Sequence, residues 1–584
     1  MAPWGRDSMN RNIRINIGEQ RFYKLREENS LYIDKTEFIR EWWETGATST
    51  LITRPRRFGK TLNMSMLECF FSNEYAGRSD LFEGLSIWEN GSQKDREKYH
   101  QLQGTYPVIF LSFAEIKAAK YEEMTYKIKR VISDLYEKNR HILEGTLPGE
   151  NEKEYYKNVN SRMKDEEVAD TIRSMAHFMK RYYDKDVIIL LDEYDTPMQE
   201  AWLNGYWDQA VQFFGGFLGN TFKTNPYLQK GIITGITRIS KESIFSDLNN
   251  LEVITTTSNY YATAFGFTQE EVFAALDATG LGSEKQEVRR WYDGFTFGSY
   301  TDIYNPWSIM SFIRNGGEYG AYWTNTSGNG LVNALVQRGN AAVKQSMEEL
   351  LQGKSITAQI DEQIVFNQLD DNVDAVWSLL LATGYLKVLD TRPVSDSVDD
   401  LCNIVYTLKL TNFEVKQMFC NMIKGWFNSN VKSSYSAFIK ALLLNDVDAM
   451  NEYMNKVAMN SFSNFDIAKS ASDDDAPERF YHGFVLGLMV ELADRFQITS
   501  NRESGFGRYD IMLKPIDREK DCAYIIEFKV HKPKREKSLE ETVANALSQI
   551  AEKQYETALT EEGFAPGRIR KYGFAFKGKE CLIG

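Results

Sequence analysis

The sequence predicts an α/β protein of several domains. A mostly parallel sheet with helices on both faces comes first, a mainly helical middle follows, and a smaller α/β domain closes the chain. Three observations lead there. The chain has 584 residues, room for about three or four domains. Its first third alternates short apolar runs with longer segments of helical spacing. An acidic stretch, SASDDDAPE (470–478), then marks a change of pattern.

Taken in order, Ser49–Thr53 (STLIT), Pro107–Phe113 (PVIFLSF), Val187–Leu191 (VIILL) and Gly231–Gly235 (GIITG) are short, apolar and partly β-branched, as strands buried on both faces are. Met124–Asn139 and Glu166–Tyr183 between them space their apolar residues as helices do. This alternation assigns residues 12–250 to the parallel sheet and its crossovers. From 251 to 470 helical patterns dominate, as in Thr268–Ala278, Lys344–Leu351, Asp374–Thr383 and Ser434–Met459, a lid or linker region. The aromatic run Trp291–Trp307 within it reads as a packed loop. Residues 471–584 read as helix (Arg479–Phe496), two strands (Arg508–Leu513, Ala523–Val530), helix (Leu539–Leu559) and a further strand.

Composition narrows the chemistry. Lys+Arg 69 against Asp+Glu 82 leaves a net charge of −13. A uniformly basic coat is excluded, so any polyanion must be gripped by a local basic channel. With 42% apolar and 26% charged residues the chain is an ordinary globular one, not a disordered one. Five scattered cysteines with no CxxC argue against a disulfide framework or zinc ribbon, and for a reducing, cytoplasmic setting. Five histidines and no HExxH favour oxygen ligands and a hard cation, Mg²⁺ or Mn²⁺. No apolar run approaches the roughly 18 residues of a membrane span, and no signal-peptide core is visible, so no membrane partner is expected.

Two constellations carry chemistry. STLIT runs into RPRRFGKT (54–61) and then a helical segment, the strand–loop–helix order that places backbone N–H groups around phosphates. Gly59, Lys60 and Thr61 fit the end of GxxxxGK[ST], with Lys60 for the β/γ-phosphates, Thr61 for Mg²⁺ and Arg57 beside them. Position 54, where that pattern has glycine, is Arg54, and Pro55 is a candidate rigid corner. Val187–Leu191 delivers Asp192 and Glu193 at a strand end, the first suited to a Mg²⁺ shell and the second to polarising a water. Arg238, after GIITG, is placed to sense a γ-phosphate. The plainer readings are a basic surface turn, a solvated acidic pair and a structural arginine.

In AYIIEFKV, Glu527 and Lys529 are two apart and share one strand face, with Ile526 and Phe528 on the other. Antiparallel pairing with the preceding strand brings Asp510 beside Glu527. Two carboxylates so close need a cation between them, and a divalent ion held by Asp510 and Glu527 with Lys529 nearby suits phosphodiester hydrolysis. Glu491 on the preceding helix is a further candidate carboxylate, and the basic run 530–537 a phosphate-tracking edge. The plainer reading of ExK is an exposed charge pair.

YIDKTEF (32–38), RPRRFGKT, LLDEYDTP (190–197), ITGITRIS (233–240) and YNPWS (304–308) together resemble the bacterial AAA-ATPase-like family, whose members commonly end in a PD-(D/E)XK nuclease domain and share the missing first glycine. The D-x16-E-x-K pattern over about 478–584 resembles that nuclease fold, a restriction-endonuclease-like α/β domain. The resemblance implies that Gln549 and Tyr555 face the metal site. It also implies ATP and Mg²⁺ (or Mn²⁺) as cofactors, and nucleic acid, DNA ahead of RNA, as partner; a homo-oligomer is compatible. The function expected is an ATP-binding, Mg²⁺-dependent nuclease regulated or powered by its ATPase module. The alternative is an ATP-dependent nucleic-acid-binding switch without turnover.

Overall fold

The structure, a computed structural model, describes residues 14–144, 149–238, 250–324, 332, 335–336, 341–351, 353–361, 373–393, 404–426, 435–461, 485, 489, 492, 495–504, 507–533, 535–577 and 580–584. The chain forms two compact units, Met1–Arg338 with Gly353–Lys416, and Gly339–Gln352 with Gln417–Gly584.

In the first unit β1 (Ser49–Thr53), β2 (Val108–Ser112), β3 (Val187–Asp192), β4 (Leu228–Gly235) and β5 (Leu251–Ile254) form one sheet in the order β2-β3-β4-β1-β5, with every pair parallel. Four of these strands lie on the apolar runs. The fifth, LEVI, is short and interrupted by Glu252, so its sequence does not announce it. A parallel sheet must be covered on both faces, and side-chain alternation divides the strands accordingly. Leu51, Ile189 and Ile233 pack with the helices Tyr121–Lys138, Thr171–Tyr183 and Trp207–Phe222. Their neighbours Ile52, Ile188 and Ile232 pack with Phe22–Glu27, Glu37–Glu44 and Lys60–Phe71 on the other face.

Two expected helices are broken. The Glu166–Tyr183 segment is Asp165–Val168 followed by Thr171–Tyr183, and the Thr171 hydroxyl donates to the Val168 carbonyl at 2.8 Å in the break. Ser434–Met459 is Tyr435–Leu444 followed by Val447–Ser461, with Asn445 in the left-handed region at φ 61°. Apolar spacing runs through both breaks because both pieces face the same core.

The stretch 251–470 carries many helices and, between them, short antiparallel strands. β6 (Phe267–Thr268), β7 (Phe295–Phe297) and β8 (Tyr300–Tyr304) pair in the order β6-β8-β7, and β9 (Ile356–Gln359), β10 (Leu386–Pro393) and β11 (Ile404–Leu410) in the order β10-β11-β9. Trp291–Trp307 is therefore a β7–β8 hairpin between two helices rather than a packed loop. Gly298 makes its turn at φ 57°, where a Cβ would stand 2.2 Å from Asn259 Oδ1.

In the second unit β12 (Phe496–Ser504), β13 (Gly507–Pro515), β14 (Ala523–Val530), β15 (Ile569–Lys577) and β16 (Glu580–Ile583) lie in chain order. Only β14 and β15 are parallel, joined through the helix Leu539–Glu552. Ile511, Ile526 and Phe528 pack with Phe438, Met450 and Met454 on one face. Met512 and Ile525 pack with Ile550 and Tyr555 on the other. The acidic stretch 470–478 and Glu491 lie outside the described residues, and Phe496, expected to end a helix, begins β12.

Candidate functional site

The loop after β1 is stapled rather than free. Arg54 is fully buried, and its guanidinium donates to the carbonyls of Thr53 (2.9 Å), Thr255 (2.6 Å) and Tyr260 (3.2 Å) while lying 4.6 Å from the Phe297 ring. Its backbone N–H donates to the Gly235 carbonyl at 3.1 Å. The residue in the glycine's place thus anchors the loop to its surroundings. The turn is made further on, by Arg57 at φ 65° and by Gly59 at φ 81°, which caps the helix Lys60–Phe71.

Lys60 is buried, with Nζ donating to the carbonyls of Arg54 (3.0 Å) and Pro55 (3.1 Å) and lying 3.4 Å from Glu193 Oε1. The Thr61 hydroxyl donates to Asp192 Oδ2 at 2.7 Å, and that of Thr234 donates to Oδ1. Burial first, and then the charge of Glu193, push the Asp192 carboxyl up to about 6. Glu193 stands at φ 54°, a strained backbone for a side chain of its size. Arg57, Gly59, Lys60, Thr61 and Glu193 line one cavity of about 500 Å³, a volume suited to a small ligand. Arg238 is not brought there; it lines a separate small recess with Thr53, Thr255 and Asp361.

Two contributors went unassigned in the sequence. Asp195 is fully buried, and its Oδ2 accepts from the N–H groups of Ile236 and Thr237, from the Thr237 hydroxyl (each 2.9 Å) and from Gln199 Nε2 (3.0 Å). Gln199 Oε1 in turn accepts from Arg56 at 3.1 Å. One carboxylate therefore ties the end of β4, the turn after β3 and the phosphate loop together. A Cβ on Gly235 would lie 2.7 Å from Asp195 Oδ1, so the close approach requires glycine. The signal was present in DEYDTP: an Asp just before a Thr-Pro that opens a helix.

In the second unit, the β13–β14 pairing runs to Ile511 opposite Ile526, and Asp510 stands just beyond it. Asp510 Oδ2 accepts from the Phe528 N–H at 2.7 Å. Lys529 Nζ donates to Glu527 Oε1 at 3.1 Å, and Gln549 Nε2 donates both to Glu527 Oε1 and to the Tyr555 hydroxyl, the latter at 2.9 Å. Glu527 is 2% exposed, while the Lys529 side chain keeps 25%, so solvent reaches the cluster past the lysine and Asp510. Gln549 and Tyr555, six apart, meet because the expected helix ends at Glu552 and the chain turns back through Gln554 at φ 52°. His531, in the basic run after β14, is buried with Nδ1 3.0 Å from Thr542 Oγ1.

Both clusters offer oxygen donors, the set a hard divalent cation accepts. Thr61 with Asp192 form one such set, and Asp510 with Glu527 the other. Among the described residues no group of three or more His, Cys, Asp or Glu side chains gathers as a metal cage.

Two family models match the chain. Residues 16–245 match the AAA-ATPase-like family, described as predicted AAA-ATPase, and residues 476–584 match the PD-(D/E)XK nuclease superfamily. The chain thus joins a domain of each type. An Azotobacter chroococcum mcd 1 protein, described as an uncharacterized protein in the vnfD 5′ region, is 26% identical over 406 residues, covering 69% of this chain and 68% of that protein. No helix among the described residues is long and apolar enough to cross a membrane.

Proposed function

We propose that the chain is an ATP-binding, divalent-metal-dependent nuclease whose ATPase-like domain regulates or powers the cutting of nucleic acid, DNA ahead of RNA. The observation that carries the reading is the meeting of Asp510, Glu527 and Lys529 where β13 leaves β14. Asp510 and Glu527 would hold Mg²⁺ or Mn²⁺, with Glu491 as a further carboxylate. A divalent ion bound there lowers the pKa of a water and neutralises charge on a phosphate. Lys529 supplies positive charge beside the reacting oxygens, and Gln549, itself hydrogen-bonded to Tyr555, orients the Glu527 carboxylate.

In the other domain, Lys60 and Arg57 would neutralise nucleotide phosphates at the start of a helix whose dipole favours anions. Thr61 and Asp192 would hold Mg²⁺, and Glu193 would orient the attacking water. The test is incubation of the full chain with plasmid, linear and single-stranded DNA and with RNA, in Mg²⁺ or Mn²⁺, with and without ATP. Divalent-dependent cutting that chelation stops is expected. Retention of nucleic acid without cleavage would instead favour the switch reading.

A further inference from the structure

The cavity beside Lys60, about 500 Å³, is larger than phosphates alone require, and part of its lining is apolar. Ile17, Leu31, Ile33, Phe267, Trp307 and Met310 line the same cavity as Gly59, Lys60 and Thr61. Trp307 is held there by the phosphate loop's own neighbour. Asn305 Nδ2 donates to the Arg56 carbonyl at 3.3 Å, while Asn305 Oδ1 accepts from the Trp307 and Ser308 N–H groups at 2.9 and 3.2 Å. The main chain at Trp307 is thereby tied to the loop by a single side chain, and the helix Pro306–Arg314 that carries the residue is capped by the same contact.

The ring already stacks with a flat group. The Arg57 guanidinium lies 4.3 Å from the Trp307 ring centroid. At Gly18, φ 83°, a Cβ would come within 3.4 Å of the indole, so main chain alone approaches the ring there. A half-buried indole, carried on main chain tied to the phosphate loop and lining the same cavity as the cradle, has the properties of a base-stacking platform.

We propose that this apolar part of the lining forms a purine-binding subsite in which Trp307 is the stacking surface, Ile17, Leu31, Ile33, Phe267 and Met310 contribute the wall, and Arg57 exchanges its contact with the indole for the nucleotide phosphates. The proposal rests on the nucleotide reading of the cavity. It adds that the site takes a whole purine nucleotide rather than a polyphosphate, and it names Trp307 as the residue that recognises the base.

Equilibrium binding of Mg·ATP and of Mg·tripolyphosphate, which lacks a base, separates the two ideas in the full-length protein. Trp307→Ala should weaken ATP binding about tenfold or more, the size of one lost base–aromatic stack, and leave tripolyphosphate binding unchanged. Trp307→Phe should restore most of the ATP affinity, which excludes misfolding as the cause. Wild-type protein should bind ATP or GTP more tightly than CTP. A Trp307→Ala protein with unchanged ATP affinity, equal loss of ATP and tripolyphosphate, or CTP bound as tightly as ATP would each overturn the subsite. Wild-type protein that binds neither ATP nor tripolyphosphate would overturn the nucleotide reading, and the subsite with it.

Discussion

The Thr61 hydroxyl donates to Asp192 across 2.7 Å, joining residues 131 positions apart in the chain. The start of the loop helix and the end of β3 are therefore locked to each other, and both are set on one parallel sheet. A site built on such elements holds its geometry better than one built on loops.

Lys60→Ala tests the cradle. The lysine contacts two loop carbonyls and Glu193, so its loss removes both a phosphate-binding cation and a clamp on the loop. ATP binding should fall below detection in a fluorescent-nucleotide titration, with stability lowered by about 1–3 kcal/mol. ATP affinity equal to wild type would exclude the cradle.

Arg54→Gly restores the usual glycine of such loops, and the structure predicts harm from it. The guanidinium satisfies three carbonyls from a fully buried position. Removing it should cost roughly 3 kcal/mol or more in denaturant unfolding and should not tighten ATP binding. A variant as stable as wild type with tighter ATP binding would contradict the stapling role.

Glu414 supplies a pH dependence. It is fully buried, its Oε1 accepts from the Trp323 N–H at 2.6 Å and its Oε2 from the Ser308 hydroxyl at 2.8 Å. Burial pushes its carboxyl from 4.5 up to about 7. The folded protein therefore binds this proton more tightly than the unfolded chain. The stability it contributes is full below about 4.5 and fades as pH rises through about 7. Glu414→Gln, neutral throughout, should flatten that slope, gaining on wild type at pH 8 relative to pH 5 by at most about 3 kcal/mol. Urea unfolding at the two pH values measures it, and an equal difference at both would contradict the assignment.

What the sequence makes legible here is set by physical range. Strands β1 to β4 announce themselves because a strand buried on both faces must be apolar throughout, and Asp510, Glu527 and Lys529 because strand alternation and pairing are short-range rules. The β7–β8 hairpin had its signal too, Gly298-Ser299 between two aromatic, Thr-containing runs, but the density of Tyr and Trp masked it. Asp195 and Gln199 act through contacts with β4 and the phosphate loop that follow only from the strand order β2-β3-β4-β1-β5, and no local pattern encodes that order. Arg238 shows the converse: it follows an apolar strand end, yet it lines a different recess from Lys60.

Gln549 and Tyr555 should matter to rate rather than to binding. Gln549 donates to Glu527 and Tyr555 accepts from Gln549, so Gln549→Ala and, through Gln549, Tyr555→Phe should slow cutting by about 10- to 100-fold, as loss of outer-sphere support does, while nucleic-acid affinity holds. Gel-based cleavage and filter binding on the same preparations distinguish the two. Equal cleavage rates in wild type and both variants would remove them from the site.

The most direct measurement is the cleavage rate of plasmid DNA by wild type and Asp510→Ala in Mg²⁺ or Mn²⁺, alongside ATP affinity for each. Divalent-dependent cutting by wild type is expected, with a loss of about 10²-fold or more in the variant and the same ATP affinity in both. An Asp510→Ala protein that cuts at the wild-type rate would contradict this site assignment.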